Sequence, residues 1–143
     1  MGQSNSKRRE FMKSAAAGLG VTGALPLMAA AAEGGSRMKA PGGIRIGNLY
    51  FSSGLTAPGA DIKEQTDGIL KAHKKNLEAM GSSLANVVKV TVFLAHIKTE
   101  KPAMNEVYGQ YFPKDAPSRS AFGVEFPDDT TRVEIELVAY IPG

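Results

Sequence analysis

Three side chains in the C-terminal third of the chain could do chemistry: Arg119, Glu134 and Glu136. An arginine presents a planar fork of N–H donors that fits a carboxylate bidentately. A glutamate can orient and activate water. Together they would suit hydrolysis of a small substrate that brings its own carboxylate. Taken alone the pattern is weak, because a strand arginine is more commonly a surface or ion-pair residue and two glutamates two positions apart usually mark a solvated strand face. The remaining inventory is thinner. His73 and His96 are the only histidines and cysteine is absent, which leaves no ligand-spaced metal cluster and no thiolate chemistry. His73 lies on a helical stripe as a partly buried structural residue, and His96 lies just past a strand, facing solvent. Ser52 and Ser53 lack the strand–Gly-x-Ser-x-Gly–helix setting of a nucleophile elbow. No Gly-rich phosphate loop is present.

The elements that must position these residues alternate with period 2. From Ser118 to Phe126, Ser120, Phe122, Val124 and Phe126 share one side, and Arg119, Ala121, Gly123 and Glu125 the other. From Arg132 to Ile141, Val133, Ile135, Leu137, Ala139 and Ile141 form an apolar face opposite Glu134 and Glu136. Both stretches are strands with one buried face. Pro127, Asp128 and Asp129 are turn residues, so the two strands are expected to pair as a hairpin. Upstream, Gly47-Asn48 predicts a tight hairpin between Ile44–Ile46 and Leu49–Ser53. Glu33–Gly43 reads as a loose polar arm.

Asp61–Met80 is helical, with Ile62, Thr66, Ile69, Leu70, His73, Leu77 and Met80 on one stripe and Gly81 as terminator. Its lysines could form a phosphate patch, but a solvated face balanced by Asp67 and Glu78 is the better-supported reading. Val87–Leu94, VVKVTVFL, is apolar on nearly both faces and predicts a central strand. Thr99 can cap a second helix with Pro102 in its first turn. Met104, Val107, Tyr108, Tyr111 and Phe112 supply its core stripe; an aromatic binding box is the sharper alternative. The order ββαβαββ predicts an α+β fold with both helices on one face of a sheet. The other face is left bare, which calls for oligomerisation.

Charge is uneven along the chain. Residues 1–32 carry Lys7, Arg8, Arg9 and Lys13 against Glu10, whereas residues 33–143 hold 13 basic and 13 acidic side chains. A formally neutral body has no general electrostatic reason to bind nucleic acid. Ser14–Ala32 is uncharged and rich in Ala and Gly, and Ala30-Ala31-Ala32 is a small-residue cleavage site. With Arg8, Arg9, Phe11 and Lys13 ahead of it, this stretch resembles a twin-arginine export signal. Residues 1–32 are therefore expected to be a signal peptide read by the twin-arginine export machinery. Residues 33–143 are then one exported domain, periplasmic or beyond, and soluble after cleavage. A retained membrane anchor is the alternative. The uncharged stretch is just long enough, but Gly18, Gly20, Gly23 and Pro26 make a poor span.

The segments GNLYFSSG (Gly47–Gly54), VVKVTVFL (Val87–Leu94), NEVYGQYF (Asn105–Phe112), PSRSAF (Pro117–Phe122) and VEIELVAY (Val133–Tyr140) follow one another in the order found in the Rid, or YjgF, family of imine and enamine deaminases. The body of the chain resembles that family over nearly all of residues 44–143. The resemblance implies a chorismate-mutase-like fold and a homotrimer whose sheets form a central barrel, with active sites in clefts between subunits. It further implies that Arg119 binds the carboxylate of a 2-imino acid and Glu134 positions the hydrolytic water. Ser53 and Asn105 then line the substrate site, as does the backbone of Ala121. No cofactor and no metal are implied. Two departures stand out: Ala121 replaces the family's usual cysteine, and Ala40–Gly47 lacks the family's N-terminal tyrosine segment. Hydrolysis of a small imino or enamino acid to a 2-oxo acid and ammonia is the leading expectation. A trimeric carboxylate-binding protein without turnover and a chaperone-like interaction module are its rivals.

Overall fold

The computed structural model of the chain describes residues 35–143. The expected signal peptide, residues 1–32, lies outside them. The elements run β1 (Arg37–Ala40), β2 (Gly43–Ile46), β3 (Leu49–Ser52), α1 (Ile62–Glu78), β4 (Val87–Leu94), α2 (Ile97–Tyr111), β5 (Ser118–Gly123) and β6 (Val133–Tyr140), with a 3-10 turn at Leu84–Asn86. One six-stranded sheet results, in the order β1-β2-β3-β6-β4-β5.

The expected hairpin of the last two strands does not form. β4 lies between them, pairing parallel with β5 and antiparallel with β6. A parallel pair needs a crossover, and α2 supplies it between β4 and β5. The Pro127–Asp129 segment belongs to a longer loop, folded on itself rather than around a two-residue turn. Asp128 accepts hydrogen bonds from the backbone N–H groups and the hydroxyls of Thr130 and Thr131. Those bonds stabilise the carboxylate and pull its pKa far down. The N-terminal arm was also underread. Arg37–Ala40 pairs with β2 across a two-residue turn in which Gly42 takes φ 65°, a conformation that glycine adopts without steric cost. The Gly47-Asn48 hairpin forms as expected, with Ile46 opposite Leu49 and Gly47 at φ 57°.

Helix α1 starts where Asp61 accepts from the N–H groups of Lys63 and Glu64, and Gly81, at φ 74°, follows its end. Its stripe is buried, including His73, whose Nε2 lies 2.8 Å from the Ile135 carbonyl oxygen. Burial pushes the His73 pKa down, against the opposing pull of that carbonyl. Gln65, unremarked in the sequence, is buried too. It donates to the Gly59 and Thr130 carbonyls and accepts from the Arg132 N–H, tying two loops together. Helix α2 begins earlier than expected. His96 stands at its N-cap without a side-chain bond, Thr99 is already helical, and Pro102 lies inside rather than in the first turn. Met104, Val107, Tyr108 and Phe112 are buried as the stripe requires.

Both helices cover one face of the sheet. Val90, Val92 and Leu94 of β4 and Val133, Ile135, Leu137 and Ala139 of β6 join them in the core. A register shift between Val87 and Lys89 lets Val87 face inward as well and leaves Val88 exposed. The opposite face is bare. It carries Leu49, Phe51, Phe122 and Tyr140, all more than two-fifths exposed. In β5, Phe122 points away from the helices, while Arg119 and Ala121 share the covered side.

Candidate active site

Residue register decides which side chains can meet. Arg119 stands opposite Val90, which stands opposite Leu137. Val90 and Leu137 are buried under the helices, so Arg119 projects to the same side. Its guanidinium carbon lies 4.4 Å from the centre of the Tyr108 ring on α2. Asn105 lies one helical turn before Tyr108, with a buried Oδ1 that has no hydrogen-bond partner among the described residues. Ala121, two residues beyond Arg119, packs against the core on that side too. Arg119 and Tyr108 thus meet at the β5 edge of the sheet, with Ala121 on the same side of it.

Glu134 belongs elsewhere. It stands opposite Phe93, which stands opposite Phe122, on the bare face. Its carboxylate lies against the Gly54 backbone so closely that a Cβ there would come within 1.9 Å of Glu134 Oε1. A side chain at Gly54 would push the Glu134 carboxylate out of this position. Ser53 is exposed beside it and donates its N–H to the Gly42 carbonyl at 2.8 Å. Ser52 is structural: its hydroxyl accepts from the Leu137 N–H at 2.8 Å. Glu136, opposite Thr91, is half-buried on the bare face two residues further along.

A single chain therefore places the expected site residues on opposite faces of its sheet, Arg119 and Ala121 on the covered side and Glu134, against Gly54, on the bare one. The ion pairs among the described residues are Lys63–Glu106, Lys71–Asp67, Lys74–Glu78 and Arg132–Glu100, and neither Arg119 nor Glu134 takes part in them. No group of three or more His, Cys, Asp or Glu among the described residues is arranged to hold a metal ion. His96 is exposed, as expected. It helps to line a cavity of about 340 Å³ with Glu125, Asp128, Asp129 and Arg132, into which none of the expected site residues projects.

Two contributors were missed in the sequence. Tyr108 was assigned to the core stripe, which is correct, but its ring also faces Arg119; its place three residues after Asn105 on the same helix was the available signal. Gly54 was seen only as the neighbour of Ser53. Burial raises the Tyr108 pKa, against the opposing effect of the Arg119 charge, and keeps the phenol neutral.

Residues 40–141 match the family described as Endoribonuclease L-PSP, and the chain belongs to that family. A RutC family protein of Pyrococcus horikoshii is 44% identical over 105 residues, covering 68% of this chain and 82% of that protein. A human protein named 2-iminobutanoate/2-iminopropanoate deaminase is 40% identical over 88 residues, covering 62% of this chain and 63% of its own length. Among solved structures, a Mycobacterium tuberculosis member of the YjgF/YER057c/UK114 family superposes with a TM-score of 0.66 at 33% identity, covering 70% of this chain and 85% of that one. The α+β, chorismate-mutase-like architecture expected from the sequence is the one these chains share.

Proposed function

We propose that this chain is a homotrimeric deaminase that hydrolyses small 2-imino or enamino acids, in clefts that take one half-site from each of two neighbouring subunits. The observation that carries this reading is the separation of Arg119 and Glu134 on opposite faces of one sheet. One chain cannot bring both to a small molecule, whereas the β5 edge of one chain set beside the bare face of its neighbour can. The family membership and the named activity of the human relative support the same reaction class.

In this mechanism the Arg119 guanidinium holds the substrate carboxylate bidentately. The Glu134 carboxylate, set against Gly54, orients a water and takes its proton as the oxygen attacks the C=N carbon. Passing that proton to nitrogen gives a carbinolamine with one hydroxyl and one amino group. The same carboxylate then moves the hydroxyl proton to the amino nitrogen, so that the C–N bond breaks as C=O forms, giving a 2-oxo acid and ammonia. Water is the only co-reactant. Asn105 and the Ala121 N–H line the carboxylate end, and Ser53 lines the end at Glu134. Ala121 offers a backbone N–H but no thiol. That departure favours a second reading, a trimer that binds small carboxylates without turnover.

Ammonia release from imino acids generated in situ tests the reading. Turnover with a trimer mass in light scattering supports it; carboxylate binding without turnover leaves the second reading, and a monomer removes the shared cleft. Export through the twin-arginine route is part of the proposal. Replacing Arg8 and Arg9 with Lys should hold a longer, folded precursor in the cytoplasm, and an unchanged exported yield would refute it.

A further inference from the structure

The Arg119 guanidinium must meet a carboxylate in one orientation, yet its strand sits at an edge of the sheet, paired on one side only by β4. Arginine is long and rotamer-rich, so an unheld side chain would lose much of its binding free energy to ordering. What stands against it is an aromatic face. The Tyr108 ring centre is 4.4 Å from the guanidinium carbon, within the range of a cation–π contact. The ring itself is fixed: Tyr108 is 6% exposed and packs on Phe112 at 4.7 Å between centroids. Among the described residues its hydroxyl has no hydrogen-bond partner, so the phenol oxygen does not anchor the side chain to them. The face of the ring is what is presented. A guanidinium resting on an aromatic plane keeps its N–H edges free, and those edges are what a carboxylate needs.

We propose that Tyr108 is a positioning residue for Arg119, its ring face acting as the platform that orients the guanidinium toward the substrate carboxylate. This rests on the deaminase reading of the Arg119 site. The ring, rather than the hydroxyl, carries the role, so Tyr108→Phe should behave as wild type and Tyr108→Leu should not.

The test measures pyruvate binding by calorimetry and imine hydrolysis for wild type, Tyr108→Phe, Tyr108→Leu and Tyr108→Met, each checked for folding by thermal melt and for trimer mass. Tyr108→Leu should raise the pyruvate Kd and the imine KM about tenfold while kcat changes less than threefold. Tyr108→Phe should stay within about twofold of wild type in both. Tyr108→Met serves if the leucine variant does not fold. In an Arg119→Met background, Tyr108→Leu should add less than a twofold effect, which a general packing defect would not reproduce. The Arg119 side-chain protons should also be shifted upfield by the ring in wild type and return downfield in Tyr108→Leu. Unaltered KM in a folded Tyr108→Leu trimer overturns the positioning role, and so does a tenfold loss in Tyr108→Phe. A wild type that neither binds pyruvate nor hydrolyses imines overturns the functional reading instead, and takes this role with it.

Discussion

The two faces of the sheet are built from the same strands and differ in every other respect. The covered face is aliphatic and closed, with Val90, Val92, Leu94, Ile135 and Leu137 sealed by two helices. The bare face alternates large apolar side chains with charge. Phe93 stacks on Phe122 at 6.3 Å, and Glu134 and Glu136 stand among them. A solvated face would not carry that much aromatic surface, and a core would not carry two unpaired carboxylates. The mixture fits a surface that packs against copies of itself around enclosed polar sites. The covered face holds the core and, at its rim, the Arg119 guanidinium; the bare face holds the Glu134 and Glu136 carboxylates.

The largest effect should come from splitting the site. Glu134→Gln keeps size and a hydrogen-bonding group but removes the base, and should lower imine hydrolysis about a hundredfold or more with pyruvate binding nearly intact. Glu136→Gln is the control and should change turnover little. Because the half-sites belong to different faces, mixing Glu134→Gln chains with Arg119→Met chains should restore about a quarter of wild-type activity, since mixed trimers hold one intact cleft. No recovery on co-expression would place both residues in one chain's site. Phe122→Lys, next in size, puts a charge on the bare face. It should yield a folded monomer in light scattering with turnover lost, while the same substitution leaving the trimer intact would remove that face from the interface.

On the covered face the expected losses are of stability rather than assembly. Leu70, fully buried, should cost about 2–5 kcal/mol as Leu70→Ala, read from denaturant unfolding. The smallest effect is a pH dependence. The folded chain holds His73 neutral, with its pKa below the ordinary 6.5. Above about pH 6.5 folded and unfolded chains both carry a neutral imidazole, and below it the unfolded chain takes up a proton that the folded chain refuses. Stability should therefore fall as pH drops from about 6.5, by at most about 1.4 kcal/mol per pH unit. His73→Gln should flatten that segment of the profile, and a slope unchanged in this variant would assign it to other groups.

Much of this was legible before any coordinates. Period-2 alternation in Arg132–Ile141 and the 3.6-residue stripe of Asp61–Met80 are local signals, and both elements lie where those signals put them. Strand pairing is not local. Pro127 and Asp128 looked like a hairpin turn, but which strand lies beside which is decided by whole apolar faces. β4, with a full inward face, had more to gain from lying between its two partners. Alternation left open which side of β5 is covered: Phe122 is the more apolar residue, but its side faces the bare surface and Arg119 faces the helix. β1 was missed because Arg37–Ala40 has little apolar alternation of its own and forms a strand only as the partner of β2. The candidate site residues came from a resemblance, not from periodicity. What no sequence pattern contained was their division between two faces, because that follows from register.

The edge position of β5 has a consequence for how the chain opens and closes. A strand held by one neighbour, and joined to it only after a helical crossover, is among the later segments to dock and the earlier to let go. Amide hydrogens from Ser118 to Gly123 should exchange faster than those of β4 and β6, whose central positions tie their release to global unfolding. The residue proposed to grip the substrate sits on that edge strand. Each binding event would then close a local opening, and saturating pyruvate should slow exchange in β5 while leaving β6 as it was.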